Sequence, residues 1–174
     1  MTYLERINEV QLLLQDDDHF DVKSIEAEVT LREFIAGALS YHPTWMKSLY
    51  VIRSVFVRFL GMKQEMIHTS KLTPQNLSFL EGDWTGFFQV HSAKENEYWI
   101  ATASDKHLDA YIIVAQETLE NGNSRFHVGT IVHYKNWAGP LYFNIIRPFH
   151  HIVVHQMVKA GANYQASQGD LTYA

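Results

Sequence analysis

Asp105-Lys106-His107-Leu108-Asp109 packs more chemistry into fewer residues than any other stretch of this sequence. Two carboxylates and an imidazole recur at every second position. On a strand, that period puts side chains on one face. His107 and Asp109 then project together if the strand opens near His107, and Tyr111 and Ile113 follow on the same side. A carboxylate among such neighbours needs a hydrogen-bond partner when it is buried. His107, His133, Arg147 and a tyrosine hydroxyl are the candidates. A buried Asp–His pair serves either as a general acid–base couple or, more commonly, as a structural tie. Asp109, His107 and His133 are therefore the candidate catalytic residues.

The ten histidines raise the question of metal. His151 and His155 are four apart and share a helix face. A helical wheel turns that face toward solvent, away from Phe149, Ile152 and Val153, and no carboxylate stands at the spacing of a zinc site. No metal and no cofactor are expected. His150 flanks the apolar face and Gln156 falls near its centre; both are either cavity-facing groups or satisfied polar groups in the core. Asp16-Asp17-Asp18 lacks the glycine and spaced ligands of a calcium loop and reads as a solvated turn. There is no cysteine, so disulfides, thiolate catalysis and thiolate metal sites are excluded. No serine stands in a nucleophile elbow. Gly139-Pro140 is a helix entry rather than a phosphate cradle.

The elements that position these groups follow from periodicity. Tyr3, Leu4, Ile7, Val10 and Leu14 predict a short helix over residues 3–14. Residues 19–28 alternate as a strand. Thr30 and Glu33 form a capping box for a helix to about Leu39. His42-Pro43 opens a second helix, with Trp45, Leu49, Ile52, Phe56 and Phe59 on its buried face and Gly61 as its stop. Residues 62–85 read as a long loop. Strands are predicted at 86–92, 97–104, 108–118 and 125–135, with Asn121-Gly122 as a hairpin turn. A long helix follows over about 138–160. Tyr142, Ile145, Ile146, Phe149, Ile152, Val153 and Met157 form its apolar face, and Pro148 inside it predicts a kink. Residues 161–174 are expected to fray as a flexible tail.

The chain has 174 residues, 47% apolar and 19% charged, with 13% aromatic and a formal charge of −5. This fits one globular domain over residues 1–174, with its core at about 16–160. The acidic balance gives no drive toward nucleic acid or anionic membrane. No run approaches the roughly 20 apolar residues of a membrane span, and the first residues lack a signal-peptide layout. A cytoplasmic location is the expectation.

Several motifs fall in one order: His42-Pro43-x-Trp45, Ile52-Arg53, Leu60-Gly61-Met62-Lys63, Asp105-x-His107-Leu108-Asp109, Thr130-x-Val132-x-x-x-Asn136, Gly139-x-Leu141-Tyr142-Phe143 and Ile146-Arg147-Pro148-Phe149-His150. Over about residues 16–158 the order resembles a bacterial family known as "domain of unknown function 2867". The Asp-x-His-Leu-Asp and Arg-Pro-Phe-His elements are its most specific parts. That family looks like a member of the START-like, helix-grip superfamily, alongside polyketide cyclases and the birch pollen allergen. The resemblance implies an α+β fold: a curved antiparallel sheet wrapped around a long C-terminal helix, with two short helices after the first strand. It brings no catalytic residues. Some relatives are fused to a dinucleotide-binding reductase domain, whose signature is not present here.

Three functions fit these readings. The first is a non-catalytic module holding a hydrophobic or aromatic small molecule between sheet and helix. Trp45, Asp109, Tyr111, Thr130, Tyr142, Phe149 and His150 are its expected lining. The second is a cyclase-like or dehydratase-like enzyme that moves protons with Asp109 and a histidine. The third is an interaction module for a separate reductase. A cavity of about 300 Å³ or more favours the first two; a filled interior with an exposed apolar patch favours the third.

Overall fold

The computed structural model describes residues 2–41 and 72–165. It opens with a 3-10 turn, Leu4–Arg6, and a short helix α1, Asn8–Leu13. Strand β1, His19–Ala27, and helix α2, Leu31–Leu39, follow. Thr30 caps α2 as the sequence predicts: its hydroxyl accepts from the Glu33 amide, and Glu33 returns the bond to the Thr30 amide. The predicted helix beginning at His42-Pro43, with Trp45, lies outside the described residues. So do residues 62–71 of the predicted loop and 166–174 of the expected tail.

From residue 72 onward come β2, Trp84–Thr85; β3, Phe88–Lys94; β4, Tyr98–Ser104; β5, Leu108–Thr118; and β6, Ser124–Tyr134. Helix α3, Ala138–Ala162, closes the described chain and runs through Pro148. The six strands form one antiparallel sheet in the order β1-β6-β5-β4-β3-β2. Among the described strands β1 stands at one edge and pairs with β6, the last strand, so that His19 is opposite Val132 at one end of the pairing. A meander of strands closed by a C-terminal helix is the helix-grip arrangement.

The period of two gives the sheet two faces with different covers. The inner face carries Ile112 and Val114 from β5 and Phe126 and Val128 from β6. They pack with Phe34 and Ile35 of α2 and with Val154 and Val158 of α3. Phe34 stacks on Phe126 with ring centroids 4.3 Å apart. The two helices touch through glycines. A Cβ on Gly161 would lie 2.6 Å from the Phe34 carbonyl oxygen, and one on Gly37 would lie 3.0 Å from that of Ala160. The outer face carries Tyr111, Ile113 and Ile131, covered by Leu4, Val10 and Leu13 of the N-terminal segment.

The apolar face of α3 differs from the predicted one. The helix buries Tyr142, Phe143, Val154 and Val158, whereas Phe149 is 38% and Ile152 53% exposed. Apolar residues occur all around this helix, so hydrophobicity alone does not select its inward side. The choice falls to packing, which turns His150 toward the sheet.

Candidate functional site

Along the inner face the interface under α3 changes character twice. At the entry to α3, Leu108, Val132, Tyr142 and Phe143 form a small apolar cluster. At the far end lies the large core around Phe34, Phe126, Val154 and Val158. Between them runs a polar belt. Register places it: Thr130 of β6 stands between Val132 and Val128, and its partner across the β1 edge is Asp21. His19, Asp21 and Lys23 alternate on the same face of β1 that carries Ile25 into the core. Helix α3 adds His150 and His151, one turn before Val154, while Arg147, one turn beyond Phe143, is exposed and reaches His19 only through its charge.

His150 Nε2 lies 3.3 Å from the Thr130 hydroxyl. Asp21 receives Lys23 Nζ at 2.7 Å and faces His151 Nδ1 at 3.2 Å. His19 rests against the Phe143 ring at 4.8 Å, and its buried Nε2 has no hydrogen-bond partner among the described residues. Burial drives the His150 imidazole down to about 4; the positive fields of His151, His19 and Lys23 add to this, and Asp21 opposes it. Burial also lowers His19, helped by the nearby Arg147 guanidinium. For Asp21, burial acts to raise the carboxyl, but the Lys23 hydrogen bond and charge outweigh it and hold the group below its usual value. Burial is the first cause of both shifts, and it favours the neutral form of these two imidazoles.

Beside the belt the inner face is floored by small and aliphatic side chains, with Ala110 packed against the cluster at the entry to α3 and Ile112 against the large core. Ala103 and Ala110 are paired across β4 and β5, and Ile112 stands opposite Thr130. All three are half-buried. The core itself is closed: the cavity between α2, α3 and the sheet, lined by Phe34, Ile112, Val128 and Met157 among others, holds about 10 Å³. That is close to the room for one water and far from a ligand cavity. An open depression of about 480 Å³ lies at the other end of β5, among Glu28, Thr30, Glu33, Asn96, Gln116 and Ser124. Several of its polar groups already bind one another, as in the Thr30–Glu33 cap and the Gln116–Ser124 bond.

The predicted site residues divide between the two faces. Thr130 and His150 meet in the belt, Tyr142 is buried in the adjoining cluster, and Phe149 flanks His150 on α3 with part of its ring exposed. Asp109 and Tyr111 do share a face with Ile113, but it is the outer face, so neither faces α3. The Asp109 partner is Lys135, at 2.7 Å, and is none of the expected groups. His133 is also on the outer face, 2.8 Å from the Leu13 carbonyl. His107 precedes β5 and does not project with Asp109. It is buried in a turn in which Asp105 Oδ1 accepts from the His107 and Leu108 amides, and its Nδ1 lies 2.9 Å from Asn136 Oδ1. His151, expected to face solvent, turns to the β1 edge. Trp45 lies outside the described residues. Among those residues, no three His, Asp or Glu side chains converge as a metal set.

Sequence reasoning missed His19, Asp21 and Lys23. Their alternation was a signal, but the pairing of β1 with β6 was needed to aim it at α3. It also missed a second set on the outer face. His127 joins the Ser24 hydroxyl, 2.8 Å from Nδ1, to the Glu117 carboxylate, 2.9 Å from Nε2, and Tyr3 stacks on the imidazole at 4.8 Å. Arg125 extends the set to Glu26. The N-terminal segment seals this imidazole, so the set ties β1, β6 and β5 together rather than facing a groove.

Fold and belt together define a helix-grip domain with a polar belt inside its sheet–helix interface. The chain belongs to the family described as "Protein of unknown function (DUF2867)", which matches residues 12–157. Among solved structures it is similar to hypothetical protein jhp0584 from Helicobacter pylori, at 14% identity over 87% of this chain and 90% of that one, with a TM-score of 0.44. It is also similar to Ara h 8.0201, at 11% identity over 82% of this chain and 97% of that one, with a TM-score of 0.39. A third likeness is to the protein of unknown function SA2116 from Staphylococcus aureus, at 12% identity over 82% and 94% of the two chains, with a TM-score of 0.36. No curated protein matches this chain. Among the described residues no helix is long and apolar enough to cross a membrane.

Proposed function

We propose that this protein binds a small hydrophobic or aromatic molecule, in the cytoplasm, on the inner face of the sheet beside α3. The observation that carries the proposal is the polar belt. Polar groups drawn into an interface cost free energy unless they are satisfied, yet here buried Thr130, half-buried His150 and a His19 nitrogen with no hydrogen-bond partner among the described residues sit between two apolar clusters. The apolar body of the ligand lies on half-buried Ala103 and Ala110, beside the belt. Its polar end meets His150 and Thr130. The core cavity, at about 10 Å³, is not the site. Native mass spectrometry of freshly purified protein tests this. A co-purified molecule of a few hundred daltons that is lost in Thr130→Val supports it. A clean apo mass, with no small aromatic probe shifting the thermal melt, contradicts it.

The interaction reading is favoured by a different observation. Trp137, Leu141 and Ile152 are 81%, 50% and 53% exposed on α3, and they recur at intervals that place them on the side of the helix away from the sheet. Such a stripe fits a protein contact. Leu141→Glu combined with Ile152→Glu separates the two readings, because it spoils that surface and spares the belt.

A further inference from the structure

We propose that Ser24 is a nucleophile that takes an acyl group from small activated esters or thioesters, with His127 as its base and Glu117 as the residue that positions the base. The set lies on the face of the sheet opposite the belt, so it stands whether or not the belt holds a ligand.

Three neighbouring strands supply the set. Ser24 of β1 is the cross-strand partner of His127 on β6, and Glu117 comes from β5. Ser24 Oγ lies 2.8 Å from His127 Nδ1, and Glu117 Oε2 lies 2.9 Å from Nε2. A carboxylate only accepts, so in the neutral ring Nε2 carries the proton. Nδ1 is then the acceptor, and the Ser24 hydroxyl donates to it. Hydroxyl and base within hydrogen-bond reach, with the base oriented by a third group, are the arrangement of an activated nucleophile. The ring has little freedom to turn, because Tyr3 stacks on it at 4.8 Å and it is only 7% exposed. Arg125 Nη1 adds a contact to the same Glu117 oxygen at 3.7 Å. The N-terminal segment closes over the imidazole but leaves the serine open: Ser24 is exposed, and β1 is an edge among the described strands. As a tie, a bond to an exposed hydroxyl adds little, because water competes for it. For an acyl donor the same exposure is access. Backbone N–H groups alternate in direction along an antiparallel strand, so one at Ser24 or at a neighbour points away from β6 and is available to a developing oxyanion. In the step, Ser24 Oγ attacks the acyl carbon as its proton passes to His127 Nδ1. The bond from that carbon to the leaving oxygen or sulfur then breaks, and the leaving group takes the proton. Glu117 holds the Nε2 proton in place throughout and offsets the charge on the imidazolium.

The test is acetylation of the full chain by 4-nitrophenyl acetate, read by nitrophenolate release and by peptide mapping. An acetyl group should appear on Ser24 faster in the folded chain than in urea, with a solvent deuterium isotope effect on the rate. Ser24→Ala should abolish that label and the associated release, whereas Ser104→Ala, at another exposed serine, should keep both. Glu117→Gln lets an amide donate to Nε2 and turns the tautomer round. It should slow acetylation of Ser24 by at least about tenfold and remove the isotope effect while the chain stays folded by circular dichroism. No acetyl group on Ser24 would overturn the nucleophile. Acetylation of Ser24 no faster than in urea, or equally fast in a folded Glu117→Gln, would overturn its activation and reduce the set to a structural tie.

Discussion

Two parts of the same interface, one turn of α3 apart, are built on opposite principles. At Val154 and Val158 the helix meets Phe34, Phe126 and Val128 in a dry core closed to about 10 Å³. At His150 and His151 it meets Thr130, His19 and Asp21, where most of the polar groups are half-buried and only partly satisfied. The first region gains from excluding water and pays for nothing else. The second lowers stability whenever its imidazoles are asked to charge. A fold that retains such a belt beside a well-packed core has a use for it other than stability.

The largest expected effect is in the dry region. Phe34 is fully buried and stacks on Phe126. Phe34→Ala should cost about 3–5 kcal/mol in denaturant melts. A cost similar to that of a belt substitution would erase the contrast.

Next is the pH dependence of the belt. The unfolded His150 titrates near 6.5, and the folded one near 4. Between these values the unfolded chain binds more protons, so stability is fully present above about 6.5 and falls as pH drops toward 4. The shift corresponds to about 3 kcal/mol, and the lowered His19 acts in the same direction. Melts at pH 7.0 and 4.5 should show the loss, and His150→Gln should reduce it. An unchanged slope in that variant would mean that other groups carry it.

Phe149 sharpens the comparison from the helix side. The sequence makes it a core residue, for which truncation to alanine would cost about 3–5 kcal/mol. At 38% exposure the expected loss is about 1 kcal/mol, with a larger effect on binding of an aromatic probe. Asp109→Asn should have the smallest effect. Its pair with Lys135 is partly exposed, and such pairs contribute about 0–1 kcal/mol. A loss above about 2 kcal/mol in thermal or urea melts would restore Asp109 as a buried structural tie.

Much of the fold was legible because local rules agree with it. Thr30 and Glu33 cap α2, Asn121-Gly122 turns between β5 and β6, and period two marks β3 to β6 within a few residues. Parity along β5 was legible too: Asp109, Tyr111 and Ile113 share a face. Which face looks inward was not, because β5 is apolar on both sides and the N-terminal segment buries the outer one. The same ambiguity hid the inward side of α3, where Phe149 and Ile152 look like core and His150 does not. Half of the belt was invisible for a third reason. His19, Asp21 and Lys23 are more than a hundred residues from His150, and only the pairing of β1 with β6 brings them to it. Of the expected site, Thr130 and His150 converge, with Tyr142 beside them; Asp109, Tyr111 and His133 belong to the opposite face.

The most direct test of the central claim, that the belt is where a ligand is held, is a histidine-ring NMR titration of the protein with 2-naphthoate. The resonances of His19, His150 and His151 should shift together and saturate, while those of His127 and His133 on the outer face stay unmoved. Shifts confined to His127 and His133, or no saturable shift at His150, would contradict it.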